Sequence, residues 1–254
     1  MPSINVTNNF LADITWLDSS VCSFKINNSI DVWKVSSDLN PMPVDSFKSI
    51  LTGDEIGRAN RFYLQKDRNR FITSRAALRT ILGKYLNLAP EAVEFESGLN
   101  KKPFIKNGNQ NNLQYNLSHS GDAILLAVAD SPIGADVEFI NNDFGYSEVL
   151  TDNFSSAEVN YITETDSIHR FFKLWTRKEA VTKATAQGLD CDLRLLPGLE
   201  GTTVVAGGII ASNEDWVINS FNLNMQYIAS VASDPLIDQI SFFNLPTVNF
   251  ARSL

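Results

Sequence analysis

The chain has 254 residues, 44% hydrophobic and 20% charged, an ordinary globular composition with enough apolar side chain for a sizeable core. Its formal net charge of −8 argues against a general nucleic-acid binder and, taken as an average, against any strongly anionic partner. The average hides local terms, because residues 48–106 carry net +6 and residues 165–188 net +3, while residues 107–164 hold nine acids and no Lys or Arg.

The N-terminus has no basic n-region and no unbroken apolar run, so no signal peptide is expected. Cys22 and Cys191 are too few and too far apart for a disulfide framework or a metal cluster. Asp31 to Val35 alternates as a short strand, and Asn40 to Pro43 is a break. Thr52, with Glu55 three residues on, has the spacing of a capping box. A helical pattern then runs from Ile56 to Leu86, with Gly83 expected at a bend near its end. Arg61, Arg68 and Arg75 recur every seven residues on one side of it, and Arg58, Arg70 and Arg79 add charge.

Val93 to Glu96 is a predicted strand, and Gly98 to Lys102 a basic turn leading into Pro103. Leu113 to Leu117 and Ala123 to Ala129 are predicted strands flanking Ser118-His119-Ser120-Gly121. The second is the longest apolar run, far below the ~20 residues a membrane span needs. A soluble, cytoplasmic protein is therefore expected, with no membrane and no nucleic-acid partner. After a break at Ser131-Pro132, Ile133 to Phe139 is a strand, and helices cover about Ser155 to Thr163 and Ser167 to Ala186. Gly188 is expected to stop the last helix. Asn222 to Ser233 is a late strand. Helix followed by strands thus occurs on both sides of Ser131-Pro132, which implies two halves of related build.

Asp136 and Glu138, two apart on a strand, leave the same face, with Val137 and Phe139 expected in the core behind them. Two adjacent acids repel unless a cation shares them, and hard oxygen ligands suit Mg2+. A polar strand face open to water satisfies the same spacing. Phe172, Trp175, Glu179 and Lys183 share one side of the last helix; an ordinary Glu-to-Lys pair four apart is the alternative reading. The Ser118–Gly121 string offers N–H groups and an imidazole to a phosphate, or simply a tight turn. No phosphate loop and no nucleophilic triad is present, which points to metal-assisted attack on a phosphate ester by an external hydroxyl.

Five blocks stand in order: RANRFYLQKDRNRF, NKKPFI, YNLSHSG, IGADVE and FFKLWTRKEAVTKATAQGL. Through them the sequence resembles the Sfp-type 4′-phosphopantetheinyl transferases of the long, pseudo-dimeric kind, and is most similar to the cyanobacterial heterocyst-associated branch. The match covers roughly residues 50 to 190, with a weaker echo in Gln226 to Ala232. The resemblance implies an α+β fold of two similar α/β subdomains forming a pseudo-dimer, residues 1–131 on the nucleotide side and 132–254 with the catalytic helix. It implies transfer of the 4′-phosphopantetheine arm from coenzyme A to a serine of an apo acyl or peptidyl carrier protein, releasing 3′,5′-ADP, by a monomer.

Carried over residue by residue, Asp136, Glu138 and Glu179 would hold Mg2+, and Asp136 would also belong to the coenzyme A site. Glu179 would be the base, and Lys183 would act on the diphosphate. Ser118 and His119 would approach the 3′-phosphate, and Arg58, Arg70, Lys102 and Pro103 would surround the nucleotide. Three positions depart from the family pattern: Ala135 where a larger apolar residue is common, Lys101 where glycine is common, and Glu55 where a basic residue is usual. The competing readings are an Mg2+-dependent coenzyme A or nucleotide pyrophosphohydrolase and a non-catalytic carrier-binding module.

Overall fold

A computed structural model describes residues 2–36, 47, 49–107, 112–188 and 191–246. Strands Ser3–Phe10 (β1), Trp16–Asp18 (β2) and Ser29–Ser36 (β3) come first, then helices Gly53–Ala59 (α1) and Gln65–Leu86 (α2). A small hairpin, Phe95–Ser97 (β4) and Pro103–Ile105 (β5), precedes strands Gln114–Ser120 (β6), Ala123–Ala129 (β7) and Gly134–Phe139 (β8). Helices Ser147–Asn153 (α3), Ser156–Glu164 (α4) and Ser167–Ala184 (α5) follow. Strands Gly201–Ala206 (β9), Trp216–Asn224 (β10), Tyr227–Ser233 (β11) and Gln239–Leu245 (β12) complete the set.

The long strands form two five-stranded sheets, β2-β12-β3-β7-β6 and β8-β11-β10-β1-β9. Each contains the same antiparallel unit, β3-β7-β6 in one and β8-β11-β10 in the other, with a long helix between its first and second strands in the chain. The two halves expected from the sequence are therefore present as repeated topology. The terminal strands are exchanged: β12 lies between β2 and β3, parallel to both, and β1 lies between β10 and β9.

β7, AILLAVA, is buried throughout because it packs on both faces. Ala123, Leu125, Ala127 and Ala129 join Val32, Ala135, Val137 and Phe221 in a core between the sheets. Ile124, Leu126 and Val128 join Leu78, Ile81 and Leu82 in a core under α2. Ala180, Val181 and Ala184 of α5 pack on Ile4, Val6 and Ile218 of the other sheet. The order of layers is helix, sheet, sheet, helix. Roughly 25 cal/mol per Å2 of apolar surface removed from water drives each contact.

Local sequence sets several boundaries. The Thr52–Glu55 capping box is formed: Thr52 Oγ1 accepts from the Glu55 amide and Glu55 Oε2 from the Thr52 amide. Ser155 and Glu158 repeat the device on α4. The single helix expected over 56–86 is instead broken at 60–64, where Asn60 ends α1 and Phe62 folds back on the Phe71 ring at 5.5 Å. Gly83 makes no bend; its missing side chain lets the carbonyl of Leu88 approach, and a Cβ there would lie 2.7 Å from it. α5 stops at Ala184 rather than at Gly188, because Ala186 already takes the left-handed conformation (φ 55).

The late strand expected over 222–233 is a hairpin turn plus β11, its first residues ending β10. The strand expected at Val93 begins two residues later, at Phe95. Phe139 does not enter the core: it is 37% exposed and lies against Tyr227. The break at Asn40 to Pro43 lies outside the described residues.

Candidate active site

β6 and β8 are edge strands of different sheets, and they meet through side chains. The Ser118–Ser120 string is not a turn between strands but the end of β6; the turn is Gly121-Asp122. As strand residues, Asn116, Ser118 and Ser120 share a face. Asn116 Oδ1 accepts from the Ala135 amide at 3.0 Å. Ser118 Oγ donates to Asp136 Oδ1 at 2.9 Å, and Ser120 Oγ donates to Glu138 Oε2 at 2.7 Å while accepting from the Phe139 amide at 3.1 Å. The two acids do leave one face of β8, and each is held by a serine of the other sheet.

α5 supplies the cation. Lys183 Nζ lies 2.6 Å from Asp136 Oδ1 and 3.3 Å from Ser118 Oγ. It reaches there because Gly134 lets the helix sit directly on β8: a Cβ at Gly134 would be 2.0 Å from the Ala180 carbonyl oxygen. Glu179, one turn earlier, makes no hydrogen bond or ion pair through its carboxylate among the described residues. Lys102, Pro103, Glu179 and Lys183 line one cavity of about 250 Å3 between the β4–β5 turn and α5.

The electrostatics show an excess of acid. Burial pushes Asp136 above the usual carboxylate range, against the pull of Lys183 and Ser118. Glu138 is pushed up to about 7, by burial first and then by the charge of Asp136. Burial also raises Glu179, with Asp136 adding and Lys183 opposing. Asp136 Oδ2 is buried with no hydrogen-bond partner. Three mutually repelling carboxylates, one with an orphaned oxygen, fit a hard divalent cation in donor chemistry. Among the described residues no three such side chains converge closely enough to cage a metal as they stand, since the serines hold Asp136 and Glu138 individually.

The remaining expected residues divide. Arg70 ion-pairs with Asp67 at 2.8 Å and donates to the Gly121 carbonyl at 3.3 Å, which sets it beside the tip of the β6–β7 hairpin. His119 leaves β6 away from the serines and is exposed; the protein crowded around the ring, then the charges of Arg70 and Lys183, hold its imidazole below the usual value. Arg58 is exposed, rests over the Phe71 ring and bonds to none of the others. Lys102 donates to the carbonyls of Ile133 (3.0 Å) and Ala184 (2.9 Å). Arg75, from the stripe, and Arg79 are not free surface charges: both bind Glu55, at 2.6 and 2.8 Å. Burial alone would raise Glu55, and the two arginines outweigh it and hold the acid below its usual range.

Ser120 and Asn116 were not among the expected site residues. The signal was present, since Asn116, Ser118 and Ser120 alternate with Leu117 and His119, but it speaks only once the segment is read as a strand. The first half has no second acidic pair at the corresponding place. There Asp31 of β3 accepts from the Tyr85 hydroxyl of α2 at 2.5 Å, the residue two further on is the apolar Trp33, and β12 pairs along the strand.

A family model described as 4′-phosphopantetheinyl transferase, N-terminal, matches residues 41–131, and one described as 4′-phosphopantetheinyl transferase superfamily matches residues 132–222. The chain belongs to the 4′-phosphopantetheinyl transferase superfamily. It is 31% identical over 180 residues to the transferase HetI of Nostoc sp., covering 69% of this chain and 76% of that one. It is 30% identical over 154 residues to a 4′-phosphopantetheinyl transferase of Bacillus pumilus, covering 59% and 64%. It is 25% identical over 152 residues to the transferase Sfp of Bacillus subtilis, covering 59% and 66%. The two family matches in tandem agree with the repeated topology of the pseudo-dimeric fold. The protein is a transferase that moves phosphopantetheine from coenzyme A to carrier proteins. No helix among the described residues is long and apolar enough to cross a membrane.

Proposed function

We propose that transfer depends on Mg2+ and takes place where α5 meets β8, with Asp136, Glu138 and Glu179 as the metal-holding acids. The observation that carries this reading is the contact of Lys183, Asp136 and Ser118 beside a cavity that Glu179 also lines. The division of the chain near residue 131, the monomeric state and a cytoplasmic location belong to the same reading.

In the proposed reaction the carrier serine oxygen forms a bond to the β-phosphorus of coenzyme A, and the bond to the bridging oxygen breaks. 3′,5′-ADP leaves with the electron pair. Glu179 takes the serine proton. Lys183 meets the charge that builds on the diphosphate. Bound Mg2+ would neutralise the diphosphate and stabilise the leaving oxygen. His119 and Arg70, neighbours at the β6–β7 hairpin, would meet the 3′-phosphate, and Ser118 would act by holding Asp136. Held together, donor and acceptor avoid most of the orientational cost of a bimolecular step.

The test is to incubate the protein with coenzyme A, Mg2+ and an apo carrier protein and to weigh the carrier. A gain of the phosphopantetheine mass, lost on chelation, supports the reading. Hydrolysed coenzyme A with unchanged carrier would assign water as the nucleophile, and binding without turnover would make the chain a binding module. Glu179→Gln is expected to abolish transfer while weakening coenzyme A binding much less; near wild-type transfer removes the base assignment.

A further inference from the structure

The β4–β5 turn, residues 98–102, belongs to the first half of the chain, yet its side chains end on α5. Lys102 donates to the carbonyls of Ile133 (3.0 Å) and Ala184 (2.9 Å). Asn100 donates its amide to the carbonyls of Ala186 (2.8 Å) and Gln187 (2.9 Å). The last carbonyls of a helix have no partner within it, and a cation there meets the negative end of the helix dipole. α5 ends at Ala184, so both side chains act on its terminus and on the two residues beyond its cap.

The turn that delivers them is strained. Asn100 (φ 48) and Lys101 (φ 62) are consecutive left-handed residues; asparagine tolerates that conformation, but lysine holds it only where the surroundings require it. Two of the three Lys102 ammonium protons are already used on carbonyls, which leaves one at most for a ligand.

We propose that Asn100 and Lys102 are positioning residues: a helix cap supplied by the other half of the chain, which fixes where α5 presents Glu179 and Lys183. For its catalytic part this rests on the transferase reading above. Glu179 and Lys183 both lie in the last six residues of α5, and the 2.6 Å contact of Lys183 with Asp136 leaves little slack for a helix end that moves. The assignment differs from a phosphate contact at Lys102, because the ammonium acts on the helix and not on the nucleotide.

The test compares Lys102→Met and the isosteric Asn100→Asp with the wild type. Amide exchange is followed in the ligand-free protein, kcat and KM for coenzyme A with an apo carrier, and the Kd of 3′,5′-ADP. The expected result is exchange at residues 181–187 at least tenfold faster, with β3 and β7 within twofold. kcat falls at least tenfold, the Kd of 3′,5′-ADP changes less than threefold, and Lys102→Arg, which keeps donors for both carbonyls, recovers part of kcat. Unchanged kcat overturns the proposal, and so does unchanged exchange. A tenfold rise in the Kd of 3′,5′-ADP also overturns it, since the ammonium would then be a phosphate ligand. The exchange arm needs no turnover, so a wild type that modifies no carrier defeats the transferase reading while the cap is still decided.

Discussion

Replacing Gly134 by alanine tests how the site is assembled. The added Cβ would lie 2.0 Å from the Ala180 carbonyl oxygen, 2.4 Å from the Ala184 nitrogen and 2.9 Å from its Cα, all backbone atoms of α5. Non-bonded atoms keep well beyond such distances, so the helix has to retreat by at least about 1 Å. Overpacking of this kind costs about 1–3 kcal/mol, against a gain of about 0.5–1 kcal/mol for alanine over glycine in a strand. The expected balance is a loss of up to about 2.5 kcal/mol, a fall in Tm of up to roughly 10 °C for a chain of this size.

Activity is expected to suffer more than stability. Ala180 and Ala184 alternate with Glu179 and Lys183, so the retreat carries both away from Asp136. A misplacement of about 1 Å is worth roughly 100-fold in rate. The assays are urea unfolding and steady-state transfer to an apo carrier. A variant that is more stable than wild type and keeps its kcat would refute the reasoning, because α5 would then not be seated on Gly134.

Lys178→Met should destabilise by about 3–5 kcal/mol in urea unfolding, since it leaves Glu158 buried without its cation and strips the carbonyls of Leu193 and Leu196 of their donor. Glu158→Gln added to it should recover part of the loss. Lys101→Gly should raise stability by about 0.5–1 kcal/mol, because glycine holds the left-handed φ of 62 without a Cβ clash; a lower unfolding midpoint contradicts this. 3′,5′-ADP binding should take up a proton. The free His119 imidazole titrates below its ordinary value of about 6.5, and a neighbouring phosphate raises it, so affinity increases as pH falls through that region. Calorimetry in buffers of different ionisation heat measures the uptake, which should vanish in His119→Ala; no uptake in the wild type removes His119 from the phosphate site.

Much of the proposed site's geometry was legible because it is local. The two-residue spacing of Asp136 and Glu138, and the four-residue spacing of Glu179 and Lys183, survive into the structure because strand and helix periods hold over so few residues. The capping boxes at Thr52 and Ser155 are legible for the same reason. What escaped the sequence depends on partners far away. β1 finds β10 more than 200 positions later, and β9 is mostly exposed with little apolar alternation to mark it. Arg75 read as part of a charged stripe, and Arg79 as added charge, because Glu55, which binds both, belongs to a different helix. Lys102 read only as a residue around the nucleotide, and its bonds to two carbonyls were not visible, because those partners lie 31 and 82 residues further on.

The exchange of β1 and β12 interlocks the halves. Cutting the chain between residues 131 and 132 gives one fragment whose sheet lacks β12, leaving β2 unattached and β3 with an open edge. The other fragment lacks β1, and its β9 has nothing to pair with. Each fragment holds the strand the other needs, so the two should be poorly folded apart and restore each other when mixed. The repeat unit is duplicated, but the ability to fold is not: it belongs to the closed circuit of both ends, and the seam between β6 and β8, where transfer is proposed to occur, exists only once that circuit is complete.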